Sequence, residues 1–304
     1  MPDLLDTLVI GGGPAGLTAA IYLARYYLKI RVIDAGASRA GWIPLSHNHA
    51  GYPDGISGHQ LIANMRAQAA RYGAIAEHGT VERLTLADGV YRAETSLGPV
   101  IARTVLLATG TLNRAPPMPH EEHNAAVTRG LLRYCPVCDG YEATDKAIAV
   151  LGRGEHGAHE ALFLRSYSAN VTLIDIDGDP GLGRESARAL ADAGIAVVNG
   201  PATRLRIEGD RIAVDLGGAC HRFDTLYPAL GSDVRSQLAV DVSARLEEDG
   251  CLAVDEHCRT GVAGLYAAGD VVEGLDQIST AMGQAGMAAT TIRNDLDRER
   301  PIRR

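Results

Sequence analysis

Apolar runs and glycine turns alternate along this chain in an order that occurs twice. Thr7-Leu-Val-Ile10 is a short continuous apolar run, as expected of a strand buried on both faces, and it leads directly into Gly11-Gly-Gly-Pro-Ala-Gly16. Leu17-Thr-Ala-Ala-Ile-Tyr-Leu-Ala-Arg25 then reads as a helix, and Ile30-Arg-Val-Ile-Asp34 as a second strand closing on an acid. The order recurs in Ala147-Ile-Ala-Val-Leu151, the turn Gly152-Arg-Gly-Glu-His-Gly157, a helical stretch from Ala158 to Arg165, and Val171-Thr-Leu-Ile-Asp175. From first glycine to closing acid the interval is the same in both copies. A single GxGxxG is weak evidence, but two copies, each between strand and helix, predict two dinucleotide-binding βαβ units rather than two plain turns. In such a unit the first two glycines allow a tight turn and close approach to a pyrophosphate. The third lets helix pack on strand, and the helix N-terminus faces the anion.

Two further segments belong with the first unit. Val105-Leu-Leu-Ala-Thr109-Gly110 reads as a buried strand ending in a small-residue turn. Gly264-Leu-Tyr-Ala-Ala-Gly269-Asp270 reads likewise and precedes a helical run from Ile278 to Leu296; Gly-Asp ahead of a helix offers N–H groups to a phosphate and a carboxylate to a polyol, or is an ordinary turn. The proline-rich link Asn113-Arg-Ala-Pro116-Pro117-Met-Pro119 resists helix and sheet and marks a domain junction, with the return near Tyr227 to Gly231. The expected fold is α/β, with two Rossmann-like, three-layer ββα dinucleotide-binding domains. Residues 1–115 and 235–304 form the first, and residues 116–234 form a second inserted into it.

Composition narrows the function classes. A chain of 304 residues with 46% apolar and 22% charged residues is neither disordered nor fibrous, and its length suits two domains. A net charge of -8 with no basic patch argues against nucleic acid or an anionic membrane as partner. Without a long apolar stretch or a basic leader, the expected location is cytoplasmic. Five cysteines, an odd number in such a chain, do not make a structural disulfide framework.

Cys135-Pro-Val-Cys138-Asp139-Gly140 therefore needs its own explanation. Two thiols at this spacing close a small disulfide, and a thiolate there attacks another disulfide through a mixed intermediate. Zinc is the competing reading, but a structural site wants four ligands and there is no second CxxC. Asp139 is placed to shuttle a thiol proton or to cap a turn. His47-Asn48-His49 and His120-Glu-Glu-His123 lack the i, i+4 histidine spacing of metallohydrolases, so no metal site is expected.

Together, Gly11 to Gly16, the Cys-Pro-Val-Cys-Asp-Gly segment, the second glycine turn and Ala267-Ala-Gly-Asp270 resemble the low-molecular-weight thioredoxin reductase family of flavoproteins. The resemblance covers nearly the whole chain. It implies FAD in the first domain, with Gly11, Gly13, Pro14, Ala15 and Gly16 at the pyrophosphate and Asp34 near the adenosine ribose. Asn48, Thr109, Gly110, Gly269, Asp270, Gln277 and Ile278 would complete that site. Gly152, Gly154, Glu155, His156, Gly157 and Asp175 would hold NADH or NADPH.

The resemblance further implies hydride transfer from nicotinamide to flavin. Two electrons then pass to the Cys135/Cys138 disulfide, Cys138 facing flavin and Cys135 outward, and on to a thioredoxin-like protein or a small disulfide or dithiol. It implies rotation of one domain against the other near Pro116 and Gly231, and a homodimer.

Members that use NADPH carry a basic cluster after the second unit, where this chain has Asp175-Ile-Asp177-Gly-Asp179, so NADH is the expected donor. The same departure is compatible with two other members of the group, a flavin-dependent dithiol oxidase delivering electrons to oxygen and a ferredoxin-linked reductase, neither using nicotinamide. A regulatory protein read out by its redox state is the non-enzymatic alternative.

Overall fold

The computed structural model describes residues 3–176, 181–299 and 301–302. Asp177 and Asp179, two of the carboxylates read above, lie outside the described residues. The chain divides into two compact units, Met1–Gly41 with Gly58–Leu112 and Val234–Arg304, and Trp42–Ser57 with Asn113–Asp233.

In the first unit the opening apolar run becomes the strand Leu4–Ile10, which has parallel neighbours on both sides, Ile30–Asp34 and Val100–Leu107. This explains its unbroken apolar character, since Leu8 and Val9 are sealed on opposite faces in two separate clusters. Ala76–His78 extends the parallel sheet beyond Ile30–Asp34, and Leu265–Ala267 pairs with the far part of Val100–Leu107. The antiparallel strands Val90–Thr95 and Val81–Ala87 complete seven. Helices Pro14–Arg25 and Ile278–Glu299 pack on one face through small residues, among them Ala15, Ala19, Ala281, Ala285, Ala288 and Ala289.

The second unit repeats the plan on a smaller scale. Its parallel sheet runs in the order Ala196–Val198, Val171–Asp175, Ile148–Gly152, Thr225–Ala229. Helix Gly154–Leu164 covers one face, and the antiparallel strands Ala202–Glu208, Arg211–Leu216 and Ala219–Phe223 contribute Leu205, Ile212, Val214, Leu216 and Phe223 to the core on the other. The α/β architecture of two Rossmann-like domains, one inserted in the other, is thus present.

The segment 42–57 departs from the division expected at residues 116 and 235, because it belongs with the second unit. The Trp42 ring lies 5.4 Å from His123 and 5.6 Å from Tyr134, and Asn48 Nδ2 donates to the Val137 carbonyl at 3.3 Å. Side-chain contacts made across long sequence separation assign this segment, and no local composition signals them.

Glycine is required where helix meets strand. Gly11 has φ of +111°, and a Cβ there would overlap the Ala108 carbonyl oxygen. A Cβ on Gly16 would overlap the Gly11 carbonyl oxygen, so the first helical turn rests on the turn's own backbone. Gly283, on the exposed side of Ile278–Glu299, meets nothing within 4 Å. Gly16→Ala should therefore destabilise by at least about 1–3 kcal/mol through overpacking, and Gly283→Ala should stabilise by about 0.5–1 kcal/mol. Chemical denaturation of the two variants checks both signs.

Candidate active site

Cys135 and Cys138 are joined in a disulfide at the start of the single-turn helix Pro136–Asp139. The sequence builds this turn locally. Pro136 takes the first helical position, where its missing N–H is not needed. Cys135 stays extended as the N-cap, and the Cys138 N–H donates to its carbonyl at 2.9 Å and lies 3.1 Å from its Sγ. Gly140 ends the motif because a Cβ there would come within 2.5 Å of the Tyr167 ring and 2.6 Å of the Pro136 carbonyl. Both sulfur-bearing residues are half-buried.

Asp139 turns inward. Its Oδ2 accepts from Arg133 Nη1 and its Oδ1 from the Tyr227 hydroxyl, both at 2.9 Å. Burial raises its proton affinity, and so does Glu142; Arg133 and Tyr227 oppose them. Tyr227 lies in the strand Thr225–Ala229 and is wholly buried, and burial with the Asp139 charge drives its phenol far above the ordinary range. Glu160, on helix Gly154–Leu164, is pushed up to about 7 by burial first and the Asp139 charge second. Beside the pair, the Tyr134 hydroxyl and His123 Nε2 are 2.6 Å apart. Asp139 thus sits next to the disulfide, ionisable yet held by two donors.

The residues of this unit expected at a nucleotide lie at the end of Ile148–Gly152, in the first turn of Gly154–Leu164 and at the end of Val171–Asp175. Gly154 has φ of +53°, and a Cβ on Gly157 would lie 3.2 Å from the Gly152 backbone. Glu155 is exposed and holds the start of the next helix, its Oε1 accepting from the Gly183 N–H at 3.0 Å and its Oε2 from the Ser186 hydroxyl. Those bonds hold its carboxyl below the usual range. His156 is exposed, with Nε2 3.8 Å from Glu160 Oε2, and Asp175 is buried at the end of its strand.

In the first unit, Gly11, Gly13, Pro14, Ala15 and Gly16 form the turn and first helical residues after Leu4–Ile10, and Asp34 ends the neighbouring strand. Asp34 is buried, accepts from Arg66 Nη2, and lies where a Cβ on Gly12 would meet its carboxyl at 2.5 Å. Arg39 Nη1 gathers Asp276 at 2.6 Å, Asp270 at 3.2 Å and Thr111 Oγ1 at 3.3 Å. Burial, then the Asp276 charge, raises Asp270, and Arg39 opposes them. The Gly269 N–H donates to Gln284 Oε1 at 2.8 Å, and Thr109 Oγ1 donates to the Arg235 carbonyl at 2.7 Å. Gly110 has φ of +66°. Gln277 precedes Ile278, the first residue of the last helix, and its carbonyl accepts from the Ala281 N–H. Asn48, expected with these residues, lies in the segment 42–57 of the other unit.

Sequence reasoning missed Arg39, Arg66, Arg133 and Tyr227, and it reads Glu160, with His156 and His159, as part of a polar helix face, whereas the Glu160 side chain is mostly covered. Arg133 had a signal, a lone cation two residues before the cysteine motif. Glu160 had another, an acid between the apolar positions Ala158 and Ala161 of an amphipathic helix.

Residues 5–285 match the family model described as pyridine nucleotide-disulphide oxidoreductase. A thioredoxin reductase of Streptomyces coelicolor is 33% identical over 304 residues, covering 95% of this chain and 93% of that one. A bifunctional thioredoxin reductase/thioredoxin of Mycobacterium leprae is 32% identical, covering 93% of this chain and 64% of that one. The crystal structure of thioredoxin reductase from Streptococcus pyogenes superposes with a TM-score of 0.88 at 27% identity, covering 98% of this chain and all of that one.

The buried acid carries a pH signature. Glu160 titrates near 7 in the folded protein against 4.5 for the free side chain, so the folded state binds the extra proton between those values. Its contribution to stability is complete below 4.5 and is lost as pH rises through about 7. Glu160→Gln should flatten this slope and stabilise the protein above neutrality by up to about 3 kcal/mol, as read from denaturation midpoints on either side of the window.

Proposed function

The chain belongs to the pyridine nucleotide-disulphide oxidoreductase family, in its thioredoxin reductase-like branch, and from that premise we propose an FAD-dependent dithiol–disulfide oxidoreductase. Electrons from NAD(P)H reach the Cys135/Cys138 pair and leave to a partner disulfide. The observation that carries this reading is the Cys135–Cys138 disulfide at a helix start with the half-buried Asp139 beside it, held by Arg133 and Tyr227.

The first unit is suited to FAD. The Gly11–Gly16 turn keeps its backbone bare where any side chain would collide, and the N-terminus of Pro14–Arg25 offers N–H groups to a pyrophosphate. Asp34 and Asp270 would take ribose and ribityl hydroxyls, each already steadied by an arginine. Bound FAD supplies a two-electron carrier between nicotinamide and disulfide.

The protein's own residues run the thiol chemistry. One thiolate of the reduced pair attacks a partner sulfur; the partner S–S bond breaks and its leaving thiolate takes a proton from solvent. The second cysteine gives its proton to Asp139 and attacks the mixed disulfide. The Cys135–Cys138 bond re-forms and the second partner sulfur departs as a thiolate that takes the proton back from Asp139. Arg133 and Tyr227 hold the Asp139 carboxylate in place throughout. The relatives named above support a thioredoxin-like partner, and the family resemblance supports a homodimer.

We further propose NADH as the favoured donor, because Asp175 and the acids that follow it in sequence offer no cation to a 2′-phosphate. One observation favours the second reading, a dithiol oxidase or ferredoxin-linked enzyme without nicotinamide. The Glu155 carboxylate stands in the first turn of Gly154–Leu164, where a pyrophosphate would have to approach.

Anaerobic mixing of the FAD-loaded protein with NADH or NADPH, followed at the oxidised flavin absorption, separates these readings. Rapid bleaching is expected, faster with NADH; equal or faster bleaching with NADPH rejects the preference. Bleaching by a dithiol and by neither nucleotide establishes the second reading. Cys138→Ser should abolish disulfide turnover, and wild-type turnover by that variant would reject the scheme.

A further inference from the structure

Behind the cysteine pair the second unit gathers more acid than the adjoining cation balances. Asp139 lies in the field of both Glu142 and Glu160, and Arg133 is the guanidinium in contact with it. Glu160 projects from Gly154–Leu164, the helix that packs against the turn carrying Cys138 and Asp139. Its side chain is 14% exposed, and its Oε1 has neither solvent contact nor a hydrogen-bond partner. The other oxygen, Oε2, lies 3.8 Å from His156 Nε2 on the same helix.

The two acids are unequal. Both oxygens of Asp139 receive donors, from Arg133 and from Tyr227, which favours its charged form. No donor serves Glu160 Oε1, and a carboxylate oxygen sealed from water without one favours a proton.

We propose that Glu160 is the redox-linked proton acceptor of the Cys135–Cys138 pair, taking up a proton when the disulfide opens and releasing it when the bond re-forms. The inference rests on the reading of this pair as exchange-active. When an external dithiol reduces the pair, the Cys135–Cys138 bond breaks and the dithiol closes to its own disulfide. Of the two protons it gives up, one stays on a cysteine sulfur and one goes to Glu160, leaving the other sulfur as the thiolate. That new negative charge beside Asp139 is what raises the proton affinity of the neighbouring acids; Glu142 Oε2 and Glu160 Oε1 are both sealed without a donor, and Glu160 is the one that burial and the Asp139 charge already push toward its protonated form. Glu160 touches neither sulfur in this scheme and acts through the field around Asp139, so it is a positioning residue for charge. The groups facing it are Asp139 with its partners Arg133 and Tyr227, Glu142 from the following turn, and His156.

The test is infrared difference spectroscopy of the FAD-loaded protein near neutral pH, reduced with dithiothreitol while new thiols are counted with a chromogenic reagent. A carboxylic-acid carbonyl band should appear on reduction, shift on carboxyl-13C labelling of glutamate, and be missing in Glu160→Gln. In parallel, the equilibrium constant for reduction by dithiothreitol should stay level with pH in the wild type, which keeps both protons, and rise by up to tenfold per pH unit in Glu160→Gln, which releases one to solvent, about 30 mV per unit for a two-electron couple. New thiols without such a band in the wild type, or a band that survives in Glu160→Gln, would overturn the inference and leave the exchange reading standing. Absence of new thiols would overturn the exchange reading and the inference with it. If Glu160→Gln fails to fold, Glu142→Gln decides: the band should persist in it, and its loss there would overturn the inference, Glu142 being the other nearby glutamate with a sealed oxygen.

Discussion

Both units depend on one close approach, that of a helix to the strand that feeds it. In the first unit the Gly16 position leaves no room for a Cβ between the helix and the Gly11 carbonyl; in the second, Gly157 and Gly152 come within 3.2 Å by the same measure. Contact at this range fixes where each helix begins, and so where its free N–H groups point. A parallel sheet then follows, because a helix seated that tightly returns the chain beside the strand it left. The positions of Asp34 and Asp175 at the ends of the neighbouring strands are consequences of the same geometry.

This is why so much of the fold was legible in the sequence. Backbone contact admits only glycine, and strands buried on both faces admit little but apolar residues, so the two βαβ units are written in residue type at fixed spacing. The cysteine pair was legible for a similar reason, its turn being built from four adjacent residues. The segment 42–57 was not, since its place is decided by Trp42 against His123 and Tyr134, partners distant in sequence. The groups that tune the acids were hidden in the same way. Tyr227 reads as one more apolar strand position, and only the folded chain brings its hydroxyl to Asp139.

The arginines show a further limit of pattern reading. Asp34 and Asp270 were expected to meet a bound ligand directly, yet each carboxylate already accepts from a guanidinium, Arg66 in one case and Arg39 in the other. A carboxylate has acceptor positions for more than one donor, so a guanidinium on one oxygen leaves capacity for a sugar hydroxyl. Sequence spacing locates the acid, and only the structure locates the cation beside it.

The environment of Asp139 follows the same logic but stops short of full neutralisation. Arg133 and Tyr227 favour its ionised form, while burial and the charge of Glu142 oppose it. Full compensation by a second guanidinium would fix Asp139 as a permanent anion, able to accept a thiol proton only weakly. A wholly apolar setting would fix it as a permanent acid. Partial compensation leaves a carboxyl whose proton affinity responds to a charge appearing nearby, and thiol–disulfide exchange makes and removes such a charge at each step. The excess of buried acid around the cysteine turn is therefore an electrostatic burden on the folded state that also makes the proton traffic of the exchange reversible.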